Sequence, residues 1–273
     1  MDLAIAIIDT SPLKGFAKLA IESTLASVAA KRVVCFSDAA FFPGADFVQI
    51  NPIRSIRQYS EFVLSGLPHF ISEDRLLLIQ WDGFAVHRSS WKPEFLEYDY
   101  IGAPWPDVPE PRSVGNGGFS LRSKHLLESI AALGIHTSET IAKGDLEDVL
   151  ICQTFGHQLE MAGVKFAPPS IACDFSFETG SLPTPSFGFH GSFNFPFYFS
   201  EDFLVANVDE LLSRVRNPRA LALFVFNAFR VGYHSSIDSV LRGIWHSRPE
   251  LVEQIQQAFT AAGIRLPLPL LNS

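Results

Sequence analysis

The chain has 273 residues, 47% of them hydrophobic and 18% charged, which suits one large globular domain or a domain with an appendage and excludes a disordered chain. A net charge of −8 with no Lys/Arg-rich run argues against a nucleic-acid partner. Cys35, Cys152 and Cys173 are far apart and form no CxxC pair, so neither a disulfide scaffold nor a zinc site is expected and a cytoplasmic setting fits.

The first element is the apolar run "LAIAII" at residues 3–8, closed by Asp9-Thr10-Ser11-Pro12. Unbroken runs of this length suit strands buried on both faces, as in parallel sheets covered by helices. No positively charged segment precedes it, and no apolar stretch reaches the roughly 20 residues that span a bilayer. "FAKLAIESTLASVAA" has helical spacing, "RVVCFSD" (32–38) reads as a second strand and "FVQI" (47–50) as a third. A helix over 55–71 follows, with Ser55 as its N-cap, and then the strand "RLLLIQ" (75–80). This alternation predicts an α/β sandwich with right-handed crossovers.

The next region, 85–120, is rich in Trp, Tyr and Pro and closes on the glycine cluster "VGNGGFSLRS". "FSLRS" is a candidate strand, followed by a helix near 123–133. "DLEDVLICQTFGHQLEMAG" (145–163) has helical spacing with acidic residues in its first turn, and "VKFAP" (164–168) reads as a short strand. Residues 173–203 are aromatic-rich and irregular, and four helical patterns follow from Val208. The expected division is 1–204 for the main domain and 205–273 for a helical segment packed on it.

In open α/β sheets ligands bind at the carboxyl ends of the strands. Asp9, Thr10, Asp38 and Asp82 end three predicted strands, although such residues also serve as plain turn and cap residues. Asp82 stands out because Trp81 and Gly83 flank it. No G-x-G-x-x-G or Walker pattern follows the first strand, which reads "DTSPLKGF". Gly115, Gly117 and Gly118 permit a tight turn or close approach of a ligand, with a plain hairpin as the alternative. Glu147 and Asp148 read as helix-start partners or as a catalytic pair, and His190 as a structural residue or a ligand. In combination, Asp82 and His190 could hold a divalent metal together with a nucleotide diphosphate, and a carboxylate opposite could deprotonate an acceptor hydroxyl.

"QWDGF", "EYDYIGAPW", "VGNGGFSLRS", the Glu147-Asp148 pair and "FGFHG" occur in that order over residues 76–191. This series resembles the motifs of a domain-of-unknown-function family grouped with the glycosyltransferases, and more distantly glycosyltransferases of the GT-A fold. The resemblance implies a GT-A-like (Rossmann-like) α/β/α sandwich with a mostly parallel central sheet and a C-terminal helical extension. It implies transfer of a sugar from a nucleotide-sugar donor, expected to be UDP-linked, to an acceptor hydroxyl, with Mn²⁺ or Mg²⁺ assistance and inversion. Asp82 would match the last Asp of the D-x-D motif, with Gln80 in place of the first, and His190 the late metal ligand. Asp148 would be the catalytic base, with Glu147 second. Thr10, Asp38, Arg57, Tyr59, Gln80 and Trp81 would face the donor. Trp105, Asn116, Gly117 and Gly118 would face a saccharide or lipid-linked saccharide acceptor, with Tyr59 and Trp105 alternatively in the core. The rival readings are a non-catalytic nucleotide-sugar or glycan-binding module, a nucleotidyltransferase, and a metal-dependent hydrolase, for which Asp82 and His87 lack a second His. The apolar faces of the helical tail fit packing on the main domain, a partner or peripheral contact with a membrane.

Overall fold

The computed structural model describes residues 1–137, 146–179, 183, 185–245, 247–261 and 263. They divide into two compact units, Met1–His190 and Gly191–Ser273. The composition-based division at 204/205 instead falls inside a helix of the second unit, Glu201–Ala206.

The first unit is built on a six-stranded sheet. Its strands are β1 (Leu3–Ile8), β2 (Arg32–Ser37), β3 (Asp46–Gln49), β4 (Arg75–Ile79), β6 (Tyr100–Ile101) and β7 (Ser120–Ser123), in the order β3-β2-β1-β4-β7-β6. β1 is buried at all six positions and pairs in parallel with β2 on one side and β4 on the other, Ile5 lying opposite Val33 and Leu77. α1 (Gly15–Ser27) makes the first crossover. α2 (Ile56–Glu61) starts at the expected cap, where Ser55 Oγ accepts the Gln58 N–H at 3.2 Å. It runs on through a π-helical turn at Phe62–Gly66 and a 3₁₀ turn at Leu67–Phe70.

One face of the sheet follows from the period of two along each strand. Ala4, Ala6 and Ile8, Val34 and Phe36, and Leu76 and Leu78 share a core cluster with Tyr59, Val63, Leu67 and Ile71. On the far side of β4 the expected mostly parallel sheet proves mixed. β7 runs antiparallel to both β4 and β6. The cause is the β6–β7 connection, which has no crossover helix and returns as a long hairpin bridged at Pro104 and Val114.

α3 (Lys124–Ala132) is capped by Ser123, whose Oγ accepts the Leu126 N–H at 3.0 Å. The helix expected over 145–163 is broken into α4 (Glu147–Val149), a π-helical turn at Leu150–Thr154 and α5 (Gly156–Met161), and Asp145 lies outside the described residues. "VKFAP" is not a strand and contributes only a bridge from Phe166 to Tyr100. α6 (Pro169–Phe175) follows.

A second, three-stranded sheet holds β5 (Gly83–Ala85), β8 (Ser176–Phe177) and β9 (Gly188–His190), ordered β5-β9-β8. Its strands are two or three residues long and survive because aromatic rings bury them. Phe84, Phe95, Phe119, Phe175, Phe187 and Phe189 are fully buried, with Phe119 stacked on Phe175 at 4.8 Å.

The second unit contains α7 (Phe195–Tyr198), α8 (Glu201–Ala206), α9 (Val208–Arg214), α10 (Pro218–Arg230), α11 (His234–Trp245) and α12 (Pro249–Ala261). The long helices bury residues at helical spacing: Leu221, Phe224, Val225 and Ala228 on α10, and Ile237, Val240, Leu241 and Ile244 on α11. Glu201 Oε1 accepts the Ser235 and Ser236 N–H groups at the start of α11. Among the described residues no helix is long and apolar enough to cross a membrane.

Candidate active site

The site begins where β4 ends. Gln80 and Gly83 exchange backbone hydrogen bonds of 2.8 and 3.2 Å, so Trp81 and Asp82 form the tip of a tight turn between β4 and β5. A buried parallel strand thereby delivers a carboxylate to the sheet rim. β5 then pairs antiparallel with β9, setting Gly83 opposite His190 and bringing Asp82 next to the imidazole.

His190 is held from several sides. Its Nδ1 lies 3.1 Å from Glu178 Oε1 and 3.0 Å from Asn116 Nδ2, and its Nε2 lies 3.4 Å from Gln80 Oε1. Burial opposes a charge on the ring, but the Glu178 hydrogen bond and the charges of Asp82, Glu178 and Asp148 outweigh it and raise the pKa to about 9. Burial raises the Glu178 carboxyl, yet hydrogen bonds from His190 and Asn116 and the His190 charge bring it below the ordinary range.

The linkage to stability has a definite sign. Free imidazole titrates near 6.5, so the His190 pairing contributes in full below that pH and is lost as pH rises through about 9. Urea unfolding of the metal-free protein should show a loss on the order of 2 kcal/mol across this window. His190→Gln should flatten that dependence, and an unchanged slope in the variant would refute the assignment.

The glycine cluster forms the floor. Asn116 adopts a left-handed backbone (φ 61°), and its Oδ1 accepts the Gly118 N–H at 3.3 Å. The two following glycines are required by close approach. A Cβ on Gly118 would sit 2.1 Å from His190 Nε2, and one on Gly117 would sit 1.7 Å from Glu147 Oε1. The half-buried Trp105 ring packs under Gly115 in the same way, 2.0 Å from where a Cβ would be.

The acidic pair separates into two environments. Glu147 forms an ion pair of 2.9 Å with Arg122, the two side chains being 5% and 0% exposed. Burial, followed by the charge of Asp148, raises the Glu147 carboxyl, and Arg122 acts against both. Asp148 is partly exposed, its Oδ2 accepting the Gly117 N–H at 3.0 Å and its Oδ1 the Val149 N–H at 2.8 Å. Of the two, only Asp148 is partly exposed.

Gln80, Asn116, Gly118 and Glu178 thus meet around the His190 imidazole, within reach of the Asp82 charge, with Gly117, Glu147 and Asp148 adjoining. Trp81 extends the rim, its ring 5.9 Å from Phe16. Of the remaining donor-side candidates, Thr10, Asp38 and Arg57 are not among the contacts of this cluster, whereas the Tyr59 phenol reaches Gln80 from the core side. Thr10 Oγ1 accepts the Ile53 N–H at 3.0 Å, and Asp38, 41% exposed, is 3.5 Å from Lys14 Nζ. Arg57 is exposed on α2, while Tyr59 belongs to the sheet core. Burial and then the Glu147 charge keep the Tyr59 phenol protonated well above its ordinary range.

Three residues of these clusters escaped the sequence reading. Lys14 Nζ donates to the Asp9 carbonyl at 2.6 Å and Ser37 Oγ at 3.0 Å, tying the ends of β1 and β2. Arg122 had a legible signal, since a charge inside a buried strand demands a partner. Glu178 had none, because its place depends on pairing with a distant strand.

The family model described as "Protein of unknown function (DUF5672)" matches residues 45–190. No curated protein matches the chain. Among solved structures, the chain is similar to the mannosyltransferase PcManGT from Pyrobaculum calidifontis, in complex with GDP-Man and Mn²⁺. There the identity is 10% and the TM-score 0.42, with 98% of this chain and 76% of that chain covered. It is also similar to a glycosyltransferase involved in glycosylation of the major capsid of PBCV-1, at 11% identity and a TM-score of 0.45, covering 69% of this chain and 91% of that one.

Proposed function

We propose that the chain, which belongs to the DUF5672 family of proteins of unknown function, is a glycosyltransferase that moves a sugar from a nucleoside-diphosphate donor to an acceptor hydroxyl. The observation that carries this reading is the meeting of Asp82 and His190 beside a glycine floor, with Asp148 fixed on that floor by the Gly117 N–H. A carboxylate–imidazole pair suits the diphosphate end of the donor, and a separate, accessible carboxylate suits the acceptor.

Asp82 and His190 are the residues that would hold a divalent cation such as Mn²⁺ or Mg²⁺. The carboxylate is a hard ligand, and the imidazole would have to lose a proton and its 3.4 Å contact from Nε2 to Gln80 Oε1 before it could serve as the second. Among the described residues no group of three or more His, Cys, Asp or Glu could hold a metal, so donor oxygens and water would have to complete the coordination. When bound, such a cation supplies Lewis-acid stabilisation of the departing diphosphate.

The chain's own part in the reaction is orientation and proton transfer. Asp148 takes the acceptor hydroxyl proton as the acceptor oxygen bonds to the anomeric carbon. The bond from that carbon to the diphosphate breaks, and its electron pair leaves with the diphosphate. In-line attack of this kind inverts the anomeric centre. The buried pairing of Glu147 with Arg122 supports Asp148 rather than Glu147 as the base.

A thermal-shift screen of UDP, GDP and other nucleoside diphosphates, with and without Mn²⁺, tests the reading. Stabilisation by at least one diphosphate, larger with metal and lost in Asp82→Ala, is expected. No response to any nucleotide would sink it.

A further inference from the structure

We infer that Arg122 is a positioning residue: with Glu147 it forms a buried strut that fixes Asp148 in place and holds the Gly117 amide against it. This rests on the glycosyltransferase reading above, to which it adds the residue that sets the base.

Asp148 sits on α4, a helix of three residues with no side-chain cap at its start. A turn that short does not hold its own shape. The support comes from outside it. Glu147 Oε1 accepts from Arg122 Nη2 at 2.9 Å, and Ser60 Oγ, at the end of α2, accepts the Glu147 N–H at 3.2 Å. Arg122 has little freedom of its own. It is fully buried on β7, opposite Leu76 of β4 and Tyr100 of β6, with its guanidinium 5.4 Å from the centre of the Tyr100 ring.

The same guanidinium reaches the glycine floor. Nε donates to Ser120 Oγ at 2.9 Å, the Ser120 hydroxyl donates to the Gly117 carbonyl at 3.1 Å, and Nη2 approaches that carbonyl at 3.5 Å. The N–H of Gly117 in turn donates to Asp148 Oδ2 at 3.0 Å. Arg122 therefore grips both sides of this contact, the glycine by its carbonyl and the aspartate through the residue before it. Only glycine leaves room for the strut, since a Cβ on Gly117 would lie 1.7 Å from Glu147 Oε1 and 2.9 Å from Arg122 Nη2.

Stability alone gives no reason for such a pair. Well-packed apolar residues of similar volume often leave a protein as stable or more so. What a planar fork with several donors adds is a fixed distance and direction to two partners at once. A proton acceptor needs that, because a displacement of about 1 Å can cost about 10²-fold in rate. The alternative is a pair that serves only the core, and the two roles separate by experiment.

Arg122→Leu combined with Glu147→Leu removes the strut together with both charges, and urea unfolding is its folding control. Its affinity for UDP or GDP, whichever stabilises the parent, should stay within about two-fold, while kcat falls about 10–100-fold. A second readout needs no substrate: the Gly117 amide should exchange with solvent deuterium about 10-fold faster than in the parent, with the amides of β1 unchanged. Should the double variant not fold, Ser120→Ala cuts the link from Arg122 to Gly117 without touching a charge. It is read by the same two measurements, with an expected loss in kcat of about 3–10-fold. In whichever variant is read, a parental kcat or a parental Gly117 exchange rate refutes the strut. Asp148→Asn separates the two failures. If it is slow while the strut variant is not, only the positioning role falls; if it turns over as the parent does, the base assignment falls and the strut with it.

Discussion

Asp148→Asn should bind donor nucleotide as the parent chain does and transfer sugar about 10²–10⁴-fold more slowly. The substitution keeps an oxygen to accept the Gly117 N–H and changes little volume, so the floor formed by Gly117 and Gly118 should survive. What it removes is the ability to take a proton. A steady-state assay with the donor found by nucleotide screening, read as kcat separately from KM, checks this. Unchanged turnover would remove Asp148 as base. A chain that binds nucleotide but shows no turnover with any acceptor, in parent or variant, would fit the binding-module alternative that Gln80, in place of a first Asp, suggests.

The second large effect concerns stability. Glu147→Ala should destabilise the protein by about 3–5 kcal/mol, because it strands the Arg122 guanidinium in a fully buried position. Arg122 would retain Ser120 Oγ at 2.9 Å and a face-on approach to Tyr100, neither of which neutralises its charge. Arg122→Leu combined with Glu147→Leu should recover most of the loss, since removing both charges eliminates the uncompensated one. Urea unfolding of the two single variants and the double variant gives the coupling directly. A loss under about 1 kcal/mol for Glu147→Ala would mean that water enters and solvates Arg122, and the buried-pair account would fail.

The long apolar strands were legible because burial on both faces leaves an unbroken hydrophobic run, as in β1, β2 and β4. Ser55 was legible as a cap because an N-cap is a local event. Strand direction was not: "FSLRS" has the same composition whether it runs with β4 or against it, and the long loop returning from β6 decided the matter. The second sheet was illegible for a related reason. β5, β8 and β9 are too short to carry a period, and they are fixed by phenylalanines brought together from residues 84–189. Within the site, Asp82, Gly118 and His190 were readable as residue types in order, and Gly117 and Gly118 as a place of close approach. The division of labour between Glu147 and Asp148 was not, because it depends on Arg122, which lies 25 residues away in sequence.

The position of β7 bears on how the site can move. β7 is bonded along both edges, to β4 and to β6, and the loop carrying Gly117 and Gly118 leads directly into it. Lifting that loop would strain two ladders at once, so Asp148's support has the slow opening timescale of the core rather than that of a surface flap. Asp82 stands on the four-residue turn Gln80–Gly83, closed by two backbone hydrogen bonds of its own and tied to His190 through Gly83 and Gln80. The two supports therefore differ in kind: the Gly117–Gly118 loop is anchored by two strand ladders, and the turn that bears Trp81 and Asp82 by one imidazole and a short strand.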